Sequence, residues 1–160
     1  MRTIPLTQGL VSLVDDDLFE ELNRHKWCAV RGRSSIYAVR GTWDGLHTRN
    51  MLMHRQILGV IDPKMHVDHI DHDGLNNQRS NIRVATCRQN SWNQGGRKNT
   101  TSQFIGVSWC SRTGTWVAQL RMPNGVSPFI GRFHTEVEAA IARDDAARRH
   151  RGEFAVLNFP

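Results

Sequence analysis

The chain has 160 residues, with 21 Lys and Arg against 15 Asp and Glu, a net charge of +6 with histidines neutral. That length holds one ordinary domain or two small ones with modest cores, and the charge favours a polyanionic partner. No apolar run approaches the length of a membrane span and no charged, apolar, small-residue leader opens the chain, so an intracellular protein is expected. Cys28, Cys87 and Cys110 are odd in number and far apart, with no C-x-x-C pair to make half of a zinc or redox site, and are read as ordinary reduced thiols.

In chain order, LVDDDLFEELNRHKW (13–27) opens with acids suited to a helix N-terminus and sets Leu18, Phe19 and Leu22 on one face, which predicts a short helix. Residues 27–51 alternate apolar and polar around Gly32, Gly41 and Gly45 and predict a small antiparallel sheet with turns at those glycines. Residues 24–58 carry seven Lys or Arg against the single acid Asp44, with Trp27, Tyr37 and Trp43 interleaved. That mixture suits a nucleic-acid backbone, with Arg31, Arg33 and Arg55 as candidate contacts, and equally suits a solvated strand face over core aromatics. MLMHRQILG predicts one or two helical turns stopped at Gly59, with His54 packed against the sheet.

The stretch VDHIDHDGLNNQRSNIRVATCRQN (67–90) gathers four Asn, three Asp and two His. Val67 to Ile70 reads as a strand end, DHDGLNNQRS as a loop, Asn81 to Val84 as a second strand, and ATCRQNSWNQ as a helix carrying Asn90. Phosphodiester hydrolysis needs a base for water and charge neutralisation at phosphorus. Histidine is available as a neutral base near pH 7, and Asp and Asn oxygens suit a hard divalent ion. The triplet spacing of His66, His69 and His72 lacks partners for a tetrahedral zinc site. Asn76 and Asn77 are read as shaping the loop, and Asp71 and Asp73 as solvated or as outer-sphere partners of a metal.

Asp68-His69, eleven residues, Asn81, eight residues and Asn90 form a pattern similar to the HNH family of endonucleases, whose site is a strand, loop, strand and helix closed on one ion, the ββα-metal fold. The resemblance implies His69 as general base, with Asn81 holding its imidazole through the other ring nitrogen. It implies Asp68 and Asn90 as ligands of one Mg²⁺ or Mn²⁺, and Arg83 as a contact to DNA. It covers about residues 1–96.

NQGGRKNTTSQ (93–103) has the composition of an exposed linker, placed at 97–102. FIGVSW, WVAQLRM and PFIGRF then predict three strands with turns at RTG and PNG, and TEVEAAIARDDAARRHRG predicts a helix capped by Thr135 with Glu138 at the capping-box position. Gln119 and Arg121 fall on one strand face, opposite Trp116, Ala118 and Leu120. Phe104, Trp116, Phe133, Ala139, Ala140, Phe154 and Leu157 are the candidate core.

Together with RGEFAVLNFP, these segments resemble the plant ethylene-response-factor (Apetala-type) DNA-binding domain over about residues 103–160, a three-stranded sheet that lies in the major groove with a helix behind. The resemblance implies double-stranded DNA as partner and contacts from Ser108, Cys110, Arg112, Gln119, Arg121, Ser127, Phe129 and Arg132, with Arg143 reaching phosphate. Ile105, Ser108 and Cys110 replace arginines of the plant first strand, so the plant target site does not transfer. Trp109 is a DNA candidate whose place, on the sheet surface or stacked on a base, stays open.

The expected fold is therefore α+β: an HNH nuclease domain at 1–96 and a recognition domain at 103–160. The expected function is a site-specific, metal-dependent DNA endonuclease of homing or phage type, acting as a monomer that nicks one strand, with a dimer as the alternative. A non-catalytic DNA-binding regulator and an RNA-directed nuclease are the rival readings.

Overall fold

A computed structural model describes residues 1–32, 35–93, 101–122 and 125–160. Arg33, residues 97–100 of the expected linker and the Pro123-Asn124 turn lie outside the described residues. The fold is α+β, and the chain divides into two compact units, Met1–Cys87 and Arg88–Pro160.

The first unit begins with a hairpin absent from the sequence reading, β1 (Arg2–Pro5) against β2 (Val11–Val14), antiparallel. Ile4, Leu6 and Val14 alternate inward from it and meet Leu22 of α1 (Asp16–Leu22), with Trp27, Ala29, Ala38 and Met53, to form the core. Trp27 is fully buried and donates its indole N–H to the Leu22 carbonyl at 2.8 Å, so it is a core residue and not part of a nucleic-acid surface.

β3 (Cys28–Arg31), β4 (Ile36–Trp43) and β5 (Thr48–Leu52) make the expected antiparallel sheet in the order β3-β4-β5. Gly41 does not turn the chain. It sits inside β4 opposite Asn50, and the turn falls at Asp44–His47, where the Asp44 carboxylate accepts from the N–H groups of Leu46 and His47. α2 (Met53–Ile57) follows directly and ends before Gly59, whose φ of 63° suits glycine.

β6 (His66–His69) and β7 (Ile82–Ala85) pair antiparallel, setting Asp68 opposite Arg83 and His69 opposite Ile82. The loop between them is sewn to β2: Leu13 N–H donates to Leu75 O and Asn77 N–H to Leu13 O, each at 2.9 Å. On its other side the loop presses on the start of β4. A Cβ at Gly74 would stand 2.7 Å from the Tyr37 ring and closer still to the Ile36 carbonyl, so only glycine fits without displacement.

α3 (Cys87–Trp92) starts at the last residue of the first unit, and in the second unit β8 (Val107–Cys110), β9 (Thr115–Gln119) and β10 (Phe129–Phe133) form an antiparallel sheet in the order β10-β9-β8. α4 (Glu136–Arg151) covers one face through Ala139, Ala140, Ala146 and Ala147, whose small side chains let helix and sheet approach. Its N-terminus carries the expected capping box: Thr135 Oγ1 accepts from Glu138 N–H and Glu138 accepts from Thr135 N–H.

The closing Asn158 clamps the unit. It bonds both backbone polar groups of Ile105, and its own N–H and side-chain N–H groups donate to the buried carboxylate of Asp144.

The close approach at Gly74 predicts that Gly74→Ala destabilises the first unit by about 1–3 kcal/mol through overpacking. Urea unfolding measures it, and an unchanged midpoint would mean that the loop has room to spare.

Candidate functional site

Asp68 and His69 end the same strand and point to opposite sides of the β6–β7 ribbon, yet both are buried, at 5% and 6% exposure. Burial of a carboxylate requires a compensating charge or hydrogen bonds. Across the ladder Arg83 supplies them, with Nε at 3.0 Å and Nη2 at 2.9 Å converging on Asp68 Oδ2. Arg83 was expected to meet DNA; the structure spends its guanidinium on the candidate metal ligand.

On the other side, His69 packs into an aromatic corner. The His54 ring lies edge-on at 5.0 Å between centroids, and Tyr37 stands 6.0 Å from His69 and 5.6 Å from His54. Burial lowers the His69 pKa from its ordinary value, opposed by the hydrogen bond to Asn77 and the negative charges of Asp71, Asp68 and Asp73. Burial likewise pushes His54 down to about 3, with the neighbouring His69 and Arg55 charges adding to the shift. The Nδ1 atom of His54 is buried and has no hydrogen-bond partner among the described residues.

Asn77 bonds the His69 ring, its Oδ1 lying 3.1 Å from Nε2. Asn81, expected in that role, staples the loop instead. Its Nδ2 donates to Asp71 Oδ1 at 2.9 Å and to Asn76 O at 2.8 Å, and its Oδ1 accepts from the Asp71 N–H at 3.1 Å. The physical reason is reach: Asn81 closes the base of the loop, where Ile70 N–H donates to Asn81 O, whereas Asn77 sits at the loop's buried inner turn. Asp71 is tied in as well. Burial works against its charge, but hydrogen bonds from Asn76, Asp73 N–H and Asn81 hold its pKa below the ordinary carboxylate value.

Asn90 lies on α3, in the second of the two compact units. Arg31 is exposed on β3. Arg55 turns inward along the chain and donates to the carbonyls of Met65 and Asp62 at 2.8 and 2.7 Å, bracing the segment that leads into β6.

The second unit separates its candidates by sheet register. Ser108, Cys110, Val117, Gln119, Phe129 and Arg132 share the face away from α4, because Ser108 opposes Val117, Arg132 opposes Val117, and Phe129 opposes Gln119. Ser108, Gln119 and Arg132 are exposed there, with Arg121 just beyond β9 and Arg112 in the β8–β9 turn; the Arg132 guanidinium stacks 5.1 Å from the Phe129 ring.

Trp109 opposes Trp116 and follows Val107 by two residues, which places it on the helix-side face at the sheet's end, 43% exposed and edge-on to Trp116. It is therefore not on the face that carries Gln119. Arg143 is 2% exposed, paired with Asp144 at 3.0 Å and bonded to the Val156 carbonyl. This corrects its reading as a phosphate contact: helical periodicity turns position 143 towards the sheet with Ala139, Ala140 and Ala147.

Asn77 was read only as shaping the loop, and its partner Ser12 was not singled out by sequence. The available signal was a serine inside LVSLV, which alternates as a strand and leaves a hydroxyl to be buried.

A family model described as HNH endonuclease matches residues 51–92. An uncharacterized HNH endonuclease of Acanthamoeba polyphaga mimivirus is 32% identical over 151 residues, 94% of this chain and 76% of that protein. Protein 3.8 of Escherichia phage T7 is 34% identical over 97 residues, 61% of this chain and 78% of that protein. The dehydration-responsive element-binding protein 2D of Arabidopsis thaliana is 37% identical over 89 residues, 54% of this chain but 42% of that protein.

The depressed His54 pKa carries a prediction. The unfolded chain takes a proton at His54 near pH 6.5, whereas the folded chain refuses it until about pH 3. This contribution to stability is therefore present above pH 6.5 and is lost progressively as pH falls from there towards 3. His54→Phe should make the acid-side decline of unfolding free energy shallower, as read by urea titrations at several pH values; an unchanged slope would contradict the burial of a neutral ring.

Proposed function

The chain belongs to the HNH endonuclease family, and on that premise we propose that it hydrolyses phosphodiester bonds of double-stranded DNA with His69 as general base and a divalent ion, Mg²⁺ or Mn²⁺. The supporting observation is the adjacency of a buried imidazole and a buried carboxylate on one strand, each braced by its own partner, Asn77 for His69 and Arg83 for Asp68. A base must be neutral at working pH to accept a proton, and burial of His69 favours that form.

The ligands that the family resemblance implies are both oxygens, the Asp68 carboxylate and the Asn90 amide carbonyl, donors of the kind a hard ion takes. Such an ion, when bound, supplies charge neutralisation at phosphorus. Asp68 would be its ligand from the first unit. His69 would draw the proton from the attacking water, and the loop tied together by Asp71, Asn76 and Asn81 would keep the imidazole in place.

The second unit is the recognition domain in this reading. Its likeness to proteins named dehydration-responsive element-binding supports a DNA-facing role for the sheet surface of Ser108, Gln119, Arg121 and Arg132. Gln and Arg pair bidentately with adenine and guanine, and a β-sheet face fits the major groove. Exposed arginines of the first unit, Arg31 among them, would add sequence-independent affinity. One active site per chain meets one scissile phosphate, so the product is a nick made by a monomer of homing or phage type.

Supercoiled plasmid incubated with Mg²⁺ should be converted to the nicked form, and chelator should stop the conversion. His69→Ala should slow it by about 10²–10⁴-fold while leaving DNA affinity nearly unchanged. Activity within threefold of wild type would remove His69 from the role of base. Duplex RNA cut as readily as duplex DNA would favour the RNA-directed reading.

The Gln119→Ala, Arg121→Ala double variant should lose site preference, each contact contributing about 1–3 kcal/mol of discrimination. Non-specific binding at low salt should persist. Retained preference in that variant would place selection elsewhere in the chain.

A further inference from the structure

Ser12, on β2, lies outside the segment that the family model matches, and it is completely buried, as is Asn77. Its Oγ stands 2.9 Å from the Leu75 carbonyl oxygen and 2.7 Å from Asn77 Nδ2, and Asn77 Oδ1 in turn lies 3.1 Å from His69 Nε2. The direction of each hydrogen bond in this row follows from one count: a serine hydroxyl has a single hydrogen.

If that hydrogen pointed at Asn77, Ser12 Oγ and Leu75 O would face each other at 2.9 Å with no proton between them, a repulsive contact of two oxygens. Donation to Leu75 O turns the same distance into a hydrogen bond. Met53 Sδ, 3.3 Å from Ser12 Oγ, is a weaker acceptor, and a hydrogen aimed there would leave the direction at Asn77 unchanged.

Ser12 can then only accept from Asn77, which must present its NH₂ group to Ser12 and its carbonyl oxygen to His69. A carbonyl oxygen accepts and never donates, so His69 Nε2 must carry a hydrogen. A neutral imidazole holds one N–H, and its lone pair is therefore on Nδ1.

We propose that Ser12 and Asn77 are positioning residues that hold His69 in the Nε2–H tautomer, making Nδ1 the atom that accepts the proton of the attacking water. In that step the water O–H bond breaks, its proton bonds to Nδ1, and the electron pair stays on the oxygen that attacks phosphorus. The positive charge then on the ring faces Asn77 Oδ1, a dipole already oriented towards it. The backbone bonds that tie Leu13 to Leu75 and Asn77 keep donor and acceptor in register, so that the tautomer is set before substrate arrives.

The catalytic consequence rests on the nuclease reading, but the tautomer is measurable without any cleavage. Protein labelled with ¹⁵N at its eight histidines is observed at about pH 7.5, about one unit above the ordinary histidine pKa, and the His69 signals are identified by their loss in His69→Gln. Long-range ¹H–¹⁵N correlations should show the Nε2–H pattern in the wild type.

Ser12→Ala, which frees the Asn77 amide to turn, and Asn77→Leu, which removes the acceptor, should give mixed tautomers. Both should lower kcat for plasmid nicking about tenfold or more, with KM for DNA within about twofold. A wild-type Nδ1–H pattern overturns the proposal, and so does a folded Ser12→Ala protein with unchanged tautomer and kcat. A wild type that shows the Nε2–H pattern but cuts no nucleic acid would overturn the nuclease reading and leave the tautomer assignment standing.

Discussion

The buried amide of Asn77 is the constraint around which the first unit is arranged. An amide removed from water must find partners for both of its ends, and an unmet one costs about 1–3 kcal/mol. Asn77 meets the demand with three partners on two strands: its backbone N–H goes to Leu13 and its Nδ2 to Ser12, both on β2, and its Oδ1 to His69 on β6. The hairpin that opens the chain is thereby joined to the loop between β6 and β7, and the loop to the candidate base. Moving any of the three would strand a polar group, so the position of His69 depends on a strand more than fifty residues earlier.

A similar economy governs the arginines. A basic chain suggests a surface ready for a polyanion, yet several of its cations are committed internally. Arg83 neutralises Asp68, Arg55 braces two carbonyls, Arg143 pairs with Asp144, and Arg151 donates to the Arg121 carbonyl. In small units with little apolar area to bury, guanidinium groups with several donors tie together strands and loops that a larger core would hold by packing. Fewer cations are therefore left at the surface than the net charge implies, and sheet register decides which face of the second unit the exposed Gln119 and Arg132 share.

The two units solve the same problem of small size in different ways. The first relies on Trp27 and the aliphatic side chains around it, with polar stitching of the loop. The second sets an alanine-lined helix against a short sheet and closes it with the Asp144 and Asn158 network, which satisfies the backbone of Ile105 and the chain's end. The closing LNFP segment thus has a structural role of its own: its asparagine is the clasp between the terminal segment and the segment that enters β8.

Local features of this chain were legible in its sequence because they arise from neighbours. The α+β class, the β3–β5 alternation, α2 stopped at Gly59, the Thr135–Glu138 capping box and the alternation that exposes Gln119 while burying Ala118 all depend on residues within a few positions of one another. The pairing of Asp68 with His69 was visible for the same reason.

Tertiary structure alone decided what depends on distant partners. It placed Ser12 behind Asn77, chose Asn77 over Asn81 to bond the imidazole, set Arg83 on Asp68, turned Trp109 to the helix side and buried Arg143. Gly41 shows the same division, since a glycine reads locally as a turn but is carried through β4 by its pairing with Asn50. A side chain's type states which bonds it can make. Which of them it does make depends on the burial and reach that only the packed chain provides.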